Sequence, residues 1–71
     1  MEGNAENQRK IAERYAAVAR EYLKAKGVIR YRMKKIAEMS DQEVMRACHF
    51  WYEENGMAAD YRAFEAQRLG N

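Results

Sequence analysis

His49 and Glu53 stand four residues apart, the spacing that stacks two side chains on one helix face. An imidazole beside a carboxylate can hold a metal or relay a proton. The plainer reading is a solvated histidine next to a charged neighbour. Cys48 adjoins His49, but consecutive residues on a helix point about 100° apart, so thiol and imidazole cannot work as nucleophile and base. Cys48 reads instead as a small buried hydrophobe. There is no Gly-rich phosphate loop, no Ser/His/Asp set and no pair of carboxylates facing inward from matched helices. A single cysteine supplies neither a disulfide framework nor zinc-ligand spacing. The expectation is a protein with no catalysis, no cofactor and no metal, working through its surface.

The charges on that surface are unevenly placed. Residues 1–35 hold ten Lys/Arg against four Asp/Glu, and residues 36–71 hold three against seven, although the net charge is only +2. Such a split suits contact with something, the chain itself included. Six cations lie between Lys24 and Lys35 with no acid among them. Read as one helix, that segment sets Arg20, Lys24, Val28, Tyr31 and Lys35 along one side, with Arg30 nearby. A β-branched residue and an aromatic are unexpected on a face meant only for water. Three readings stay open. A second helix covers Val28 and Tyr31; or the strip, with Lys24, Val28, Arg30, Tyr31 and Lys35 as contacts, binds an acidic protein; or the cations neutralise nucleic-acid phosphates. Duplex recognition fits less well, because the basic residues lie on a long first arm and the second arm is acidic.

Apolar residues at Ile11, Tyr15, Val18, Tyr22, Ala25, Ile29 and Ile36, with Met33 near the seam, alternate three and four apart. The stripe keeps phase across Gly27, which predicts one helix from Ala5 to Glu38, roughly 50 Å long, with a soft spot at the glycine. Ser40-Asp41-Gln42-Glu43 fits a capping box that starts a second helix at Asp41. Val44, Ala47, Cys48, Trp51 and Tyr52 share one arc of it. After Asn55-Gly56 the stripe shifts to Met57, Tyr61 and Phe64, a face that extends back to Phe50. The helix either breaks there or continues with its buried side swapped. Arms of similar length favour a kinked antiparallel hairpin over three separate helices.

A chain of 71 residues is at most one domain and buries only about 60% of its unfolded surface. Oligomerisation is the staple left to it. The expectation is an all-α hairpin over residues 1–71 that pairs with a twin into a four-helix bundle. Phe50, Trp51, Met57, Tyr61 and Phe64 then serve as core or dimer contacts. No apolar run is long enough to cross a bilayer and Met1–Lys10 is polar, which predicts a cytoplasmic protein with no membrane partner.

The run Leu23-Lys24-Ala25-Lys26-Gly27-Val28-Ile29-Arg30-Tyr31-Arg32-Met33-Lys34-Lys35-Ile36-Ala37-Glu38-Met39-Ser40-Asp41, followed by His49-Phe50-Trp51-Tyr52-Glu53-Glu54-Asn55-Gly56-Met57, resembles the very small helical proteins of Pseudomonas phages that act as quorum-sensing anti-activators. The likeness is one of size and arrangement and carries no diagnostic motif. It implies a helical-hairpin homodimer that inhibits by occupying a surface of a host LuxR-type transcription regulator, with a pilus-assembly ATPase as a further target. The contact residues named above come from helical angles, not from that family.

Overall fold

In the computed structural model, which describes residues 2–70 and their side chains from residue 7 onward, the chain is mostly helical and carries one small sheet. Met1, the first residue of the polar N-terminal stretch, lies outside the described residues. The order is α1 (Glu2–Ala25), β1 (Arg30–Tyr31), β2 (Lys34–Lys35), a short 3-10 turn (Ile36–Glu38), α2 (Asp41–Glu54) and α3 (Ala58–Leu69). No helix among the described residues is long and apolar enough to cross a membrane.

The expected rod from Ala5 to Glu38 is not formed, because Gly27 ends the first helix instead of sitting inside it. Its φ is +76°, a left-handed conformation that costs glycine nothing. The Gly27 N–H donates to the Lys24 carbonyl at 3.0 Å, and the Val28 N–H donates to the Leu23 carbonyl at 2.8 Å. These bonds make a Schellman ending, which satisfies carbonyls that a frayed helix would leave open. Apolar phase carried across the glycine misleads, since beyond it Ile29 is 81% and Met33 is 97% exposed.

The same device closes α2. Gly56 has φ +65°, its N–H donates to Glu53, and the Met57 N–H donates to Tyr52 at 2.7 Å. Of the two readings for Asn55-Gly56 the break is the one found, and the kinked continuous arm is not. At the other end of α2 the capping box is present as expected. The Glu43 N–H donates to the Ser40 hydroxyl at 3.2 Å, and the Ser40 N–H donates to the Glu43 carboxylate at 2.9 Å.

Between the helices the chain makes an antiparallel hairpin in which Arg30 faces Lys35 and Tyr31 faces Lys34. Arg32 and Met33 form its two-residue tip, and Arg32 has φ +58°. Two-residue tips need positive φ, and glycine or asparagine usually supplies it. Arginine holds it here at a cost of about 1–2 kcal/mol.

The core lies mainly between α1 and α2. Ala16, Val18, Ala19, Tyr22 and Leu23 from α1 meet Val44, Ala47 and Cys48 from α2, with Ile36 and Met39 sealing the linker side. Alanines at 16 and 19 fit a close approach of α2 to α1. Of the expected seam, Val18, Tyr22 and Ile36 are buried, whereas Ile11 is half exposed and Ala25 and Ile29 are exposed. α3, together with Trp51 near the end of α2, closes this pair by laying aromatic rings around Tyr22. Trp51, Tyr61 and Phe64 meet the Tyr22 ring edge-on at 6.0, 5.0 and 5.3 Å, and Tyr52 stacks on Tyr61 at 4.6 Å. The Tyr22 hydroxyl donates to Asp60 at 2.8 Å, and Lys26 pairs with the same carboxylate at 2.9 Å.

Candidate functional site

The first and second halves of the chain neutralise one another within one copy. Arg20 pairs with Asp41 at 2.7 Å, Lys26 with Asp60, Arg32 with Glu54 at 3.5 Å and Lys34 with Glu43 at 2.7 Å. In the reverse sense, Arg68 reaches Glu21 at 3.4 Å. Each pair is partly solvated and worth little alone. Their placement matters more, because the two on Lys34 and Arg32 strap the hairpin to the first and last turns of α2.

The strap at the start of α2 is the tighter. A hydrogen bond from Lys34, together with those from Ser40, brings the Glu43 carboxyl down to about 2. At the other end, the Tyr31 hydroxyl donates to Glu54 at 2.9 Å. The Arg32 guanidinium lies over the Tyr31 ring at 5.1 Å and over the Phe50 ring at 5.9 Å. Met33 at the tip, with Tyr31, Met39, Ala47 and Phe50, borders a shallow trough of about 510 Å³.

The outer face of the hairpin is different. The Ile36 N–H donates to the Ile29 carbonyl at 3.0 Å, so the alternation of an antiparallel ladder makes Arg30 and Lys35 a non-hydrogen-bonded pair. Cα atoms in such pairs are about 4.5 Å apart, with side chains side by side. Alternation also puts Arg30 and Lys35 on the face opposite Tyr31 and Lys34. Both cations are exposed, and neither has an ion-pair partner among the described residues. Like charges directly opposite across a ladder destabilise it.

The single contact strip expected along a helix is therefore redistributed, because no helix runs through residues 26–35. Lys24 and Val28 border a groove between the end of α1 and the linker. Arg30 and Lys35 form the outer pair, and Tyr31 turns to the opposite side, partly buried against the core. The second expected group also divides. Trp51, Tyr61 and Phe64 surround Tyr22 inside this one chain, and Met57 is partly buried in the turn before α3. Phe50 is 43% exposed beside Arg32 and His49. The break at Gly56 turns α3 about a new axis, so the helical angles that joined Phe50 to Tyr61 and Phe64 do not apply.

The His49 ring meets the Tyr52 hydroxyl at 3.0 Å from Nδ1. Among the described residues no three His, Cys, Asp or Glu side chains gather as a metal site. Cys48 is 1% exposed, and its thiol is pushed up to about 12, first by burial and then by the nearby Glu65. A thiol held so far into its neutral form is a poor nucleophile at neutral pH.

Sequence reasoning missed the hairpin and the acids that strap it. Arg32-Met33 lacks the Asn-Gly or Asp-Gly signature of a tight tip, which hid the turn. Gly27 was the available signal, followed as it is by β-branched Val28 and Ile29. No protein-family model, curated protein or solved structure matches this chain.

Proposed function

We propose that this chain is a non-catalytic binding domain that docks an acidic protein surface through the outer side of its hairpin. One observation carries the reading: Arg30 and Lys35 stand directly opposite each other with no acid between them, while exposed Ile29 precedes Arg30 and exposed Met33 sits at the hairpin tip. Placing two cations together costs folding stability, and an anionic partner recovers that cost on binding. Exposed apolar neighbours favour a protein over a bare polyanion, since apolar surface rimmed by polar residues marks protein contact sites.

The resemblance to phage anti-activators supplies the specific form of this reading. In it the chain sequesters a host LuxR-type quorum-sensing regulator, with a pilus-assembly ATPase as a second target, and acts as a homodimer assembled into a four-helix bundle. Half-exposed Ile11, next to Tyr15 and Leu69, is an apolar patch available to a second copy. The alternative is phosphate binding by the six cations between Lys24 and Lys35.

Titration calorimetry against a purified LuxR-type regulator and against nonspecific duplex DNA, each over a range of salt, separates these readings. Arg30→Glu puts an acid opposite Lys35, so it is expected to raise thermal stability slightly while weakening the regulator complex. A variant that keeps full affinity refutes the docking face. A DNA affinity whose logarithm falls by several units per decade of salt, with no regulator binding, selects the alternative.

A further inference from the structure

The end of α1 and the linker enclose a groove of about 340 Å³ lined by Arg20, Lys24, Val28, Ile29, Ile36 and Ala37. Four of those six side chains are apolar, and no acid lines it. Arg20 is committed within the chain, donating to Asp41 at 2.7 Å and to the Met39 carbonyl at 2.9 Å. Lys24 has no ion-pair partner among the described residues. Arg30 follows Ile29 and Lys35 precedes Ile36 in the chain, and strand alternation turns both to the other face of the hairpin. An apolar slot with one cation on its rim, Lys24, that pairs with no acid among the described residues is thus presented, and Ile29 projects from it at 81% exposure.

We infer that this groove takes one acidic amphipathic helix of a partner protein, a proposal that rests on the docking reading above and names the segment it recognises. Arg20 and Lys24 lie one turn apart on α1, so they edge the slot along the axis of a helix. A helix laid beside them presents apolar residues at i and i+4 to Val28, Ile29 and Ile36 while a flanking carboxylate reaches Lys24. Phosphate backbones fit less well. They satisfy the cations but leave the apolar floor uncovered, whereas the helix covers both.

The test uses a fluorescein-labelled helical peptide of roughly 15 residues, with leucines on one face and glutamates on the rest. An isomer of the same composition, with its leucines spread around the helix, is compared with it. Anisotropy titration of the full chain is expected to show saturable binding of the first peptide and at least about tenfold weaker binding of the isomer. Ile29→Asp and Lys24→Glu are each expected to lower affinity about tenfold, the loss typical of one hot-spot residue. Arg62→Glu, on the exposed side of α3, leaves it unchanged. Ile29 and Lys24 are both exposed, so circular dichroism melting curves of their variants overlay that of the parent.

Equal binding of the two peptides, or full affinity in Ile29→Asp, overturns the proposal. So does duplex DNA that binds as tightly as the peptide and ignores the Ile29 substitution. Concentration-dependent self-association abolished by Ile29→Asp assigns the groove to a second copy and overturns it as well. If the peptide fails while a regulator still binds in an Arg30-dependent way, this inference alone is lost. Failure of both removes the docking reading with it.

Discussion

Replacing Gly27 by alanine has opposite signs under the two ways of tracing the chain past Ala25, which makes it a sharp experiment. As found, Gly27 has φ +76°, and a Cβ built there meets nothing within 4 Å. The cost of alanine is therefore backbone strain alone, about 1–2 kcal/mol for an L-residue in the left-handed region. Alanine also narrows the unfolded ensemble, which returns about 0.4–1 kcal/mol. The net expectation is a loss of about 1 kcal/mol, equivalent to a fall in melting temperature of about 4–8 °C for a chain of this size. If α1 ran unbroken through the glycine, alanine would instead gain about 1 kcal/mol. The two outcomes are separated by about 2 kcal/mol, well beyond the scatter of a urea titration followed by helical circular dichroism. Gly56→Ala is an internal replicate, because the same pair of backbone bonds closes α2 and its Cβ also meets open space. A gain in stability on Gly27→Ala, or opposite signs at the two sites, refutes the reasoning.

Other consequences are open to direct measurement. Ser40→Ala removes the hydroxyl of the capping box and is expected to cost about 1 kcal/mol in the same titration. Glu43 has its folded pKa lowered from 4.5 to about 2, first by Lys34 and then by Ser40. A depressed carboxyl stabilises the fold above the unfolded value, and that contribution is lost as pH falls from about 4.5 towards 2. Glu43→Gln is therefore expected to flatten the acid limb of a stability profile, and an unchanged limb contradicts the strap between hairpin and α2. Tyr22→Phe keeps the ring packing but removes the hydroxyl bond to Asp60, for an expected loss of about 1–1.5 kcal/mol. A loss as large as that of a truncated ring would show that packing, not the hydroxyl, had been disturbed. Cys48 is expected to react with a thiol reagent only as fast as the protein unfolds, with urea restoring prompt reaction. Rapid labelling of the folded chain would place the thiol outside the core.

The parts of the fold that could be read from the residues are those decided within a few positions. Ser40 and Glu43 satisfy each other three residues apart, so their pattern specifies a helix start whatever surrounds it. Gly27 shows the opposite case. Stripe continuity from Tyr22 to Ile36 looked like a helix, but a glycine that can close a helix end competes with one that merely weakens it, and burial decides between them. Ile29 and Met33 have no neighbours to cover them, so closing the helix wins. The mainly helical content and the burial of Val18 and Tyr22 survive this change. The site was less legible because it depends on which residues face each other across the hairpin. Arg30 and Lys35 were both among the expected contacts, but their opposition follows from the ladder and not from helical angles. Ala16, Ala19 and Leu23 escaped the seam for a related reason, since the buried arc of α1 depends on where α2 crosses it.

The division of charge between the two halves bears on how the chain is made. Acids that quiet Arg20, Lys26, Arg32 and Lys34 all come from residue 41 onward, so a ribosome has synthesised every one of those cations before any of their counterions. A half-finished product ending near Ser40 is a polycation with a bare oily seam, prone to cling to ribosomal RNA or to nascent neighbours. Speed of translation through α2 and α3 therefore limits how long that vulnerable species exists, and slow codons placed after Ser40 should lower the soluble yield even though the protein they encode is identical.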